Sequence, residues 1–445
     1  MAADKDTIRR VGHLLRRAGF GATPDEVQAQ ASKGVAATVD QLVNYDQKPD
    51  DLGATLAKVQ GDLVDLHNLE DIQTWWLYRM LHTTRPLQEK MTLFWHGHFA
   101  TAQYKVNNAL FMHQQNETFR KYALGNFKEL TAAVAKDPAM LVWLDGNTNR
   151  KGAPNENFAR ECMELFTLGI GNYTEDDVKA GARAFTGWNL NYAQGKFVFN
   201  KNQHDDSPKA FRGLHGNLNG DDVIANVTAD PATAKRLASK LFSFFAYDNP
   251  EPQVIQPLAD LYLKSNLEIK PVVKAILLSD AFYSDKAYGQ HVKSPVEYVV
   301  GTIKQLGGQV RERALAQALR PLGHELFNPP NVAGWPGGPA WLDAGTVASR
   351  FNFGGLLAAG VKNAPSPNGG GYIDPESFVQ KLGTKSWQAV VDLFGNGLTS
   401  GLTDATRTAL LDYARATQDL RPQTLDIKLR GLIHLLMVSP EYQVA

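Results

Sequence analysis

The sequence has a single cysteine, Cys162, among its 445 residues. An internal disulfide framework and a zinc cluster built on cysteines are therefore excluded. No run of about eighteen apolar residues is present, so no segment is predicted to cross a membrane as a helix. The first ten residues, MAADKDTIRR, are rich in charge and lead into no apolar run, so no signal peptide is recognised. Such a beginning suits a cytoplasmic protein, or an exported protein whose leader was removed and replaced by a start Met.

The formal net charge is zero, because 46 Lys and Arg residues balance 46 Asp and Glu residues. Without a broad basic field, nucleic acid is not an expected partner. The phosphate loop, the serine-hydrolase elbow, the His-Glu-x-x-His motif and the dinucleotide-binding glycine motif are absent as well. The common nucleotide, esterase and metalloprotease sites are therefore not indicated, while the hydrophobic fraction of 43% excludes disorder as the dominant state.

The pattern that is present is helical, since apolar residues recur every three or four positions in segments such as 106–135 and 232–246. Segment 189–200 instead alternates around Gly195 and predicts a β-hairpin. The predicted fold is mostly α, a multi-helix globular protein with a small β-hairpin insertion near 189–200. The expected parts are an N-terminal helical part with the polar motifs (1–187), the hairpin and a polar loop (188–217), a central helical part with a Pro/Gly-rich loop (218–362) and a C-terminal helical segment (372–445).

Helix starts are indicated where a capping residue stands directly before proline. Thr23-Pro24-Asp25-Glu26 and Ser294-Pro295-Val296-Glu297 each place a hydroxyl cap before Pro at the first helical position, with an acid two residues later. Asp230-Pro231 has the same form. We therefore predict helices that begin at Pro24, Pro231 and Pro295.

The first motif that could carry chemistry is His96-Gly97-His98. On an ideal helix, residues two apart point about 200° apart and share no face. Gly97 is a poor helix residue, so the helix is predicted to end or bend here. In a turned backbone both imidazoles could then bind a metal or flank a substrate. The alternative is that they only bond to backbone at a helix end.

A second motif is the segment 155–166, which reads NENFARECMELF. At about 100° per residue, Glu156, Arg160 and Glu164 form one polar stripe, with Glu161 at its edge. Cys162 falls on the opposite, apolar face and is expected to be packed. The stripe is typical of a solvated amphipathic helix. If it faces a cleft instead, carboxylates around one guanidinium could separate their pKa values into an acid and a base.

Two loops complete the candidates. His204-Asp205 follows the predicted hairpin and could supply a metal ligand or an oriented imidazole, or only an exposed turn. The Pro/Gly-rich stretch 328–339 carries Asn331 and Trp335, with Trp341 nearby, and these could line a carbohydrate or peptide cleft together with Trp188. Packing is the default role for such tryptophans. A saccharide is the substrate that tryptophan-rich loops suggest.

With these motifs the sequence resembles, over nearly its whole length, the bacterial domain-of-unknown-function family numbered 1800. The matching stretches are His13–Gly21, Phe94–Ala100, Gln115–Arg120, Asp137–Met140, Asn149–Glu161, Glu164–Gly169, Ala184–Trp188, His204–Asp205, Lys293–Glu297 and Pro329–Gly338. The resemblance implies a mostly helical protein, often exported to the periplasm or secreted, and encoded beside a sulfatase-like partner family. It also implies that the three polar motifs share one site, but no reaction.

We therefore expect a hydrolase-like enzyme with a His/Glu/Arg cleft, acting on a small molecule or saccharide and assisted by a divalent metal or by the histidines alone. The predicted metal ligands are His96, His98, His204 and Asp205. The predicted catalytic residues are Glu156, Arg160, Glu161 and Glu164, and the predicted substrate-binding residues are Trp188, Asn331, Trp335 and Trp341. The alternative is a non-catalytic exported binding or assembly protein in which the same motifs are structural.

Overall fold

The computed structural model describes residues 3–50, 52, 58–59, 62–310, 312–360, 372–380, 386–416 and 422–445. The predicted boundary between the central part and the C-terminal segment, between 362 and 372, lies outside these residues. The helices of the first half are α1 (Lys5–Arg17), α2 (Pro24–Ala31), α3 (Val35–Val43), α4 (Leu69–His82), α5 (Pro86–His98), α6 (Gln103–Val106), α7 (Ala109–Lys121), α8 (Phe127–Ala135), α9 (Pro138–Trp143), α10 (Asn157–Glu161) and α11 (Glu175–Ala184).

The second half continues the helical pattern. Its helices are α12 (Gly220–Thr228), α13 (Pro231–Phe245), α14 (Pro252–Lys264), α15 (Ile269–Leu278), α16 (Pro295–Gln305), α17 (Glu312–Leu319), α18 (Ala344–Ala359), α19 (Pro375–Gln380), α20 (Trp387–Leu398), α21 (Asp404–Arg415), α22 (Pro422–Val438) and α23 (Pro440–Gln443). The prediction of a mostly α protein is confirmed. No helix in the described part of the chain combines the length and the apolar character that crossing a bilayer requires.

The predicted helix starts are confirmed by their caps. The Thr23 hydroxyl accepts the Glu26 N–H while the Glu26 carboxylate accepts the Thr23 N–H, and Ser294 and Glu297 form the same reciprocal pair. The Asp230 side chain accepts the N–H of Ala232 at the start of α13. Each cap satisfies backbone donors that have no partner inside the helix, and proline at the first position lacks such a donor. These starts therefore depend on local chemistry.

Short antiparallel hairpins accompany the helices. The strands are β1 (Lys58–Val59), β2 (Asp62–Leu63), β3 (Trp188–Asn191), β4 (Lys196–Phe199), β5 (Lys209–Phe211) and β6 (Leu214–Gly216). The predicted hairpin is β3 and β4, with Trp188 opposite Phe199 and Asn191 opposite Lys196. Gly195 has φ of 58° in the turn, a conformation that glycine adopts at little cost. The two other pairs were not predicted, because their strands are too short for alternation to be visible.

One helix changes its winding at the second motif. α10 ends at Glu161, and the chain continues as a π-helix over Cys162–Phe166. A π-helix bonds each N–H to a carbonyl five residues back, so side chains turn through a smaller angle per residue than in an α-helix. Cys162 and Phe166 are buried in the core, which contains residues from Leu14 to Tyr442. Because of the smaller angle per residue, the polar residues of the motif point in directions different from those on an α-helix.

Candidate functional site

His96 is a buried, neutral residue that holds a loop. It lies near the end of α5 and is 1% exposed, and its Nε2 accepts the N–H of Phe327 at 3.1 Å. Burial and the neighbouring His324 lower the pKa of His96 to about 3, so the ring keeps one proton, on Nδ1. Phe327 has φ of 63°, a strained conformation for a bulky residue. The imidazole therefore stabilises the backbone at the entry to the Pro/Gly-rich loop.

His98 is engaged by different partners. Its Nε2 lies 3.0 Å from the Phe166 carbonyl oxygen and its Nδ1 lies 3.2 Å from Lys240 Nζ. Nε2 thus donates to the carbonyl while the Nδ1 lone pair faces the ammonium group. Burial and the charge of Lys240 lower the pKa of His98 well below its usual value, which keeps the ring neutral. The predicted end of the helix at this motif is confirmed, since α5 ends at His98. The two imidazoles bond to different partners, as in the alternative in which they serve the backbone at a helix end.

His204 and Asp205 follow the β3–β4 hairpin. His204 Nδ1 donates to the Thr186 carbonyl at 2.7 Å, which leaves Nε2 as the acceptor nitrogen. Asp205 accepts from Arg183 Nε at 2.7 Å and from the Ser207 N–H at 3.0 Å. Although burial opposes it, these donors hold the pKa of Asp205 well below its usual value. The Asp205 carboxylate therefore uses its oxygens to fix the loop after the hairpin.

The predicted metal ligands do not come together. His96 faces Phe327, His98 faces Lys240, and Asp205 is paired with Arg183. Within the described residues, no three His, Cys, Asp or Glu side chains are placed to hold one metal ion. A structural or catalytic metal needs three or four ligands around one point. The arrangement that the sequence suggested for a metal centre is not formed by these four residues.

The polar stripe of the second motif is split by the π-helix. Arg160 pairs with Glu156 at 3.1 Å and with both oxygens of Glu175, at 2.7 and 2.8 Å. Glu164 instead accepts the hydroxyl of Tyr173 at 2.7 Å. Of the two glutamates that share the predicted stripe with Arg160, only Glu156 pairs with it, and Glu175 is its second partner. The smaller turn per residue of the π-helix moves Glu164 away from Arg160.

Glu161 and Cys162 lie where the winding changes. Burial and the nearby charge of Glu164 raise the pKa of Glu161, while Arg160 lowers it less strongly. Glu161 is half-buried and is the carboxyl group of this motif with a raised pKa. Cys162 is fully buried, and burial raises the pKa of its thiol to about 12. The expected packing role of Cys162 is confirmed, and Glu161 is a candidate proton donor.

The predicted substrate-binding residues divide between core and surface. Trp188 is 4% exposed between Phe185 and Phe197, and Trp341 is 7% exposed and stacked on His324. These two rings are buried against other side chains and offer little surface to a ligand. Asn331 is exposed and caps the turn at Ala333, and Trp335 is partly exposed against His96 and His324. Trp335 is thus the one of these tryptophans with accessible surface.

An open pocket of about 650 Å³ lies where the second motif meets the loop after the hairpin. Its lining residues are Asn147, Thr148, Arg150, Ala153, Pro154, Asn155, Glu156 and Gln203. The Lys151 N–H donates to the Gln203 carbonyl at 2.7 Å, which joins two segments distant in sequence. Asn149 holds the turn from inside, since its Oδ1 accepts the Asn155 N–H at 2.9 Å. These hydrogen bonds therefore fix the backbone that carries the amide side chains of the pocket lining.

The sequence interpretation missed most of this lining and found only Glu156. Asn147, Asn155 and Gln203 are uncharged, and in the sequence Tyr192 belongs to the predicted hairpin. In the structure the Tyr192 hydroxyl accepts from Asn147 Nδ2 at 2.7 Å. Tyr192 is 61% exposed, unlike the buried tryptophans. The signal that could have revealed the site is the density of asparagines in 147–157, beside a glutamine that directly precedes His204.

Two further matching stretches build an internal ion cluster. Glu297 pairs with Lys90 of α5 and with His291 at 3.2 Å, and Arg17 Nη1 lies 4.0 Å away. Arg17 also donates to the carbonyl of Phe245 at the end of α13 at 2.8 Å. All of these groups except His291 are more than nine-tenths buried. Stretches 13–21 and 293–297 thus serve to join helices in the core.

Comparison with known proteins identifies the family of the chain. The model of the family described as "Protein of unknown function (DUF1800)" matches residues 13–444, nearly the whole chain. No curated protein and no solved structure matches the chain. The match includes the pocket, the ion cluster and both histidine motifs. The chain belongs to the DUF1800 family.

Proposed function

We propose that the chain is a binding protein that takes a neutral polyhydroxylated ligand, such as the end of an oligosaccharide, in the pocket beside Tyr192. The observation that carries the proposal is the amide lining of that pocket. Side-chain amides both donate and accept hydrogen bonds, as recognition of hydroxyl groups requires. A few polar groups in fixed positions are what a small-molecule site needs for orientation.

The unused hydrogen-bonding capacity of the lining supports this ligand class. Gln203 Oε1 accepts from Asn189 Nδ2, so the Gln203 amide N–H groups are left to donate. Asn147 donates to the Tyr192 hydroxyl, so Asn147 Oδ1 is left to accept. Glu156 uses Oε2 for Arg160 and keeps Oε1. The exposed ring of Tyr192 offers an apolar face on which a sugar ring can pack.

Calorimetric titration with a panel of neutral oligosaccharides tests the proposal. We expect one class to bind, and Tyr192→Ala and Gln203→Ala each to weaken binding about tenfold, since one lost contact or hydrogen bond is worth about 1–1.5 kcal/mol. Tyr104→Ala is the matched control, because Tyr104 is 63% exposed like Tyr192 but packs against Trp143 and not beside Asn147. Equal loss in the Tyr104 and Tyr192 variants, or no binding by any sugar of the panel, would contradict the proposal.

A hydrolase is the second candidate function, and Glu161 favours it. A carboxyl group whose pKa is raised by burial and by a neighbouring carboxylate can stay protonated and act as an acid, while its partner acts as base or nucleophile. Glu161 and Glu164 on the α10–π-helix segment have this relation, and Tyr173 holds Glu164. In this proposal the reaction is acid–base hydrolysis of a glycoside and involves no predicted metal ligand.

Release of nitrophenol from synthetic glycosides tests the hydrolase proposal. We expect Glu161→Gln to lower kcat by about 10²-fold or more, the usual contribution of a general acid, and to remove the alkaline limb of the pH profile that deprotonation of Glu161 produces. Glu129→Gln, on the exposed side of α8, is the control and should leave the rate unchanged. A wild-type rate no faster than that of the Glu161 variant excludes this chemistry.

We also propose a cellular location and a partner for the protein. The family resemblance supports an exported, periplasmic or secreted protein that works beside a sulfatase-like partner. Cell fractionation of the native producer with an antibody to the chain tests the first of these. Recovery of the protein only with cytosolic markers would contradict it.

A further inference from the structure

Two basic side chains of α13 lie one turn apart and outside the amide pocket. Arg236 and Lys240 stand at positions i and i+4 and are both half-buried. In the described part of the chain, neither belongs to an ion pair; Arg236 Nη2 donates to the Leu165 carbonyl at 3.3 Å, and Arg236 Nε is buried with no partner. Like charges at this spacing destabilise a helix, so the pair needs a compensating partner.

Neighbouring elements hold the pair in place. His98 at the end of α5 turns its Nδ1 lone pair toward Lys240 Nζ, because its other nitrogen donates to the Phe166 carbonyl. A Cβ at Gly169, which has φ of 82°, would lie 3.3 Å from the guanidinium of Arg236. The glycine therefore leaves room for that side chain along the loop after the π-helix. Within the described residues, Arg236 Nε has no acceptor, and His98 Nδ1 takes only one of the three N–H groups of Lys240.

The electrostatic environment of Arg236 and Lys240 favours the binding of an anion. Burial and the charge of Arg236 lower the pKa of Lys240 to about 8. The charges of Lys240 and Arg236 both act on His98, which burial keeps neutral. Glu164 acts on Arg236 without forming an ion pair with it. A bound anion would remove the repulsion between the two cations and supply the missing acceptors.

We propose that Arg236 and Lys240 form a binding site for a tetrahedral oxyanion, a phosphate or a sulfate. A guanidinium group and an ammonium group together match the oxygens of such an ion, the first through paired N–H groups and the second as a point charge. His98 is the positioning residue, since its lone pair fixes Lys240 without adding charge. This site is separate from the proposed saccharide pocket, whose lining does not include Arg236 or Lys240.

Titration calorimetry of the full chain at pH 7 tests the site, with inorganic sulfate, inorganic phosphate and methyl phosphate as ligands in sodium chloride of constant ionic strength. We expect saturable binding of a tetrahedral ion, weakened at least tenfold in Arg236→Gln and in Lys240→Gln. Lys235→Gln is the matched control, because Lys235 lies on the exposed side of the same helix. Tighter binding of methyl phosphate than of the inorganic ions would identify an ester as the natural ligand, and the reverse would identify a free ion.

A pH series with sulfate gives a test that needs no variant to fold. Lys240 must be protonated to bind, so raising the pH from 7 to 9 across a pKa of about 8 should weaken sulfate binding about tenfold. The groups that face Lys240 are His98 from α5 and Arg236 from its own helix, and Glu164 faces Arg236. Absence of saturable binding by all three ions, equal weakening in Lys235→Gln, or pH-independent sulfate binding would overturn the proposal.

Discussion

Replacing Glu297 by glutamine is expected to lower the free energy of unfolding by about 3–5 kcal/mol, the usual cost of leaving a buried charge without its partner. Glu297 is 8% exposed and faces the cations of Lys90 and Arg17, and His291 lies 3.2 Å away. It also caps α16, where its carboxylate accepts the Ser294 N–H at 2.8 Å. Glutamine can keep the cap but leaves two buried cations uncompensated. Urea denaturation followed by circular dichroism measures the change.

The same residue predicts how stability depends on pH. Although burial opposes it, Lys90, His291 and Arg17 hold the pKa of Glu297 well below its usual value of 4.5. A carboxyl whose pKa is lower in the folded state stabilises the protein above its unfolded pKa and loses that contribution as the pH falls toward the folded pKa. We therefore expect wild-type stability to fall below about pH 4.5 by more than that of Glu297→Gln. Identical acid profiles would show that Glu297 is not the titrating group.

A surface pair provides the control for Glu297. Glu325 pairs with Arg320 at 2.7 Å, but the Arg320 side chain is 69% exposed. Exposed pairs contribute about 0–1 kcal/mol, so Glu325→Gln should change stability little. A loss in Glu325→Gln as large as that in Glu297→Gln would mean that burial of the internal cluster is not the cause.

Glu89→Gln is expected to have an effect of similar size, about 3–5 kcal/mol, for a related reason. Glu89 is fully buried and joins three helices: it accepts from Trp76 and Arg79 of α4, each at 2.9 Å, and from Arg120 of α7 at 2.7 and 2.9 Å. Although burial opposes it, Arg120 and Arg79 lower the pKa of Glu89, so the carboxylate is charged in the folded protein. An amide offers one oxygen to these donors and no charge to the two arginines.

Glu117 provides a matched control on the same arginine. It pairs with Arg120 at 2.5 Å from one turn away, but its side chain is 46% exposed. Glu117→Gln should therefore cost less than about 1 kcal/mol in the same denaturation measurement. Comparable losses in the Glu89 and Glu117 variants would contradict the view that Glu89 is the centre of this interaction.

Features that depend on neighbouring residues were predictable from the sequence. The capping boxes at Thr23 and Ser294 and the turn at Gly195 each depend on residues within a few positions. The packed thiol of Cys162 followed from the apolar face that it shares with Phe158 and Phe166. Local hydrogen bonds and helical periodicity can be recognised from neighbouring residues, so these features can be predicted without knowledge of the fold.

The site was less predictable because packing over long sequence distances decides it. Gly97 did not bend α5 before His98, and the loop packs so closely on it that a Cβ at Gly334 would lie 2.5 Å from the Gly97 carbonyl oxygen. The π-helix that separates Glu164 from Arg160 has no sequence signal. The pocket depends on a backbone bond from Lys151 to Gln203, which no local pattern indicates. Residue types suggested chemistry, but only the fold shows which of them meet.

The motifs that match the family have supporting roles in the structure. His96 supports Phe327, His98 positions Lys240, and Asp205 anchors a loop through Arg183. These histidines and this carboxylate orient backbone and cationic side chains, and in the proposed function neutral amides and Tyr192 contact the ligand. Such supporting roles are common around binding sites, where surrounding hydrogen bonds fix the residues that touch a ligand.

A crystal structure of the full chain soaked with the best-binding neutral oligosaccharide tests the central claim most directly. We expect a sugar ring against Tyr192, with its hydroxyl groups bonded to Asn147 and Gln203. A sugar bound elsewhere, for example against the partly exposed ring of Trp335, or an empty pocket at a saturating sugar concentration, would contradict it.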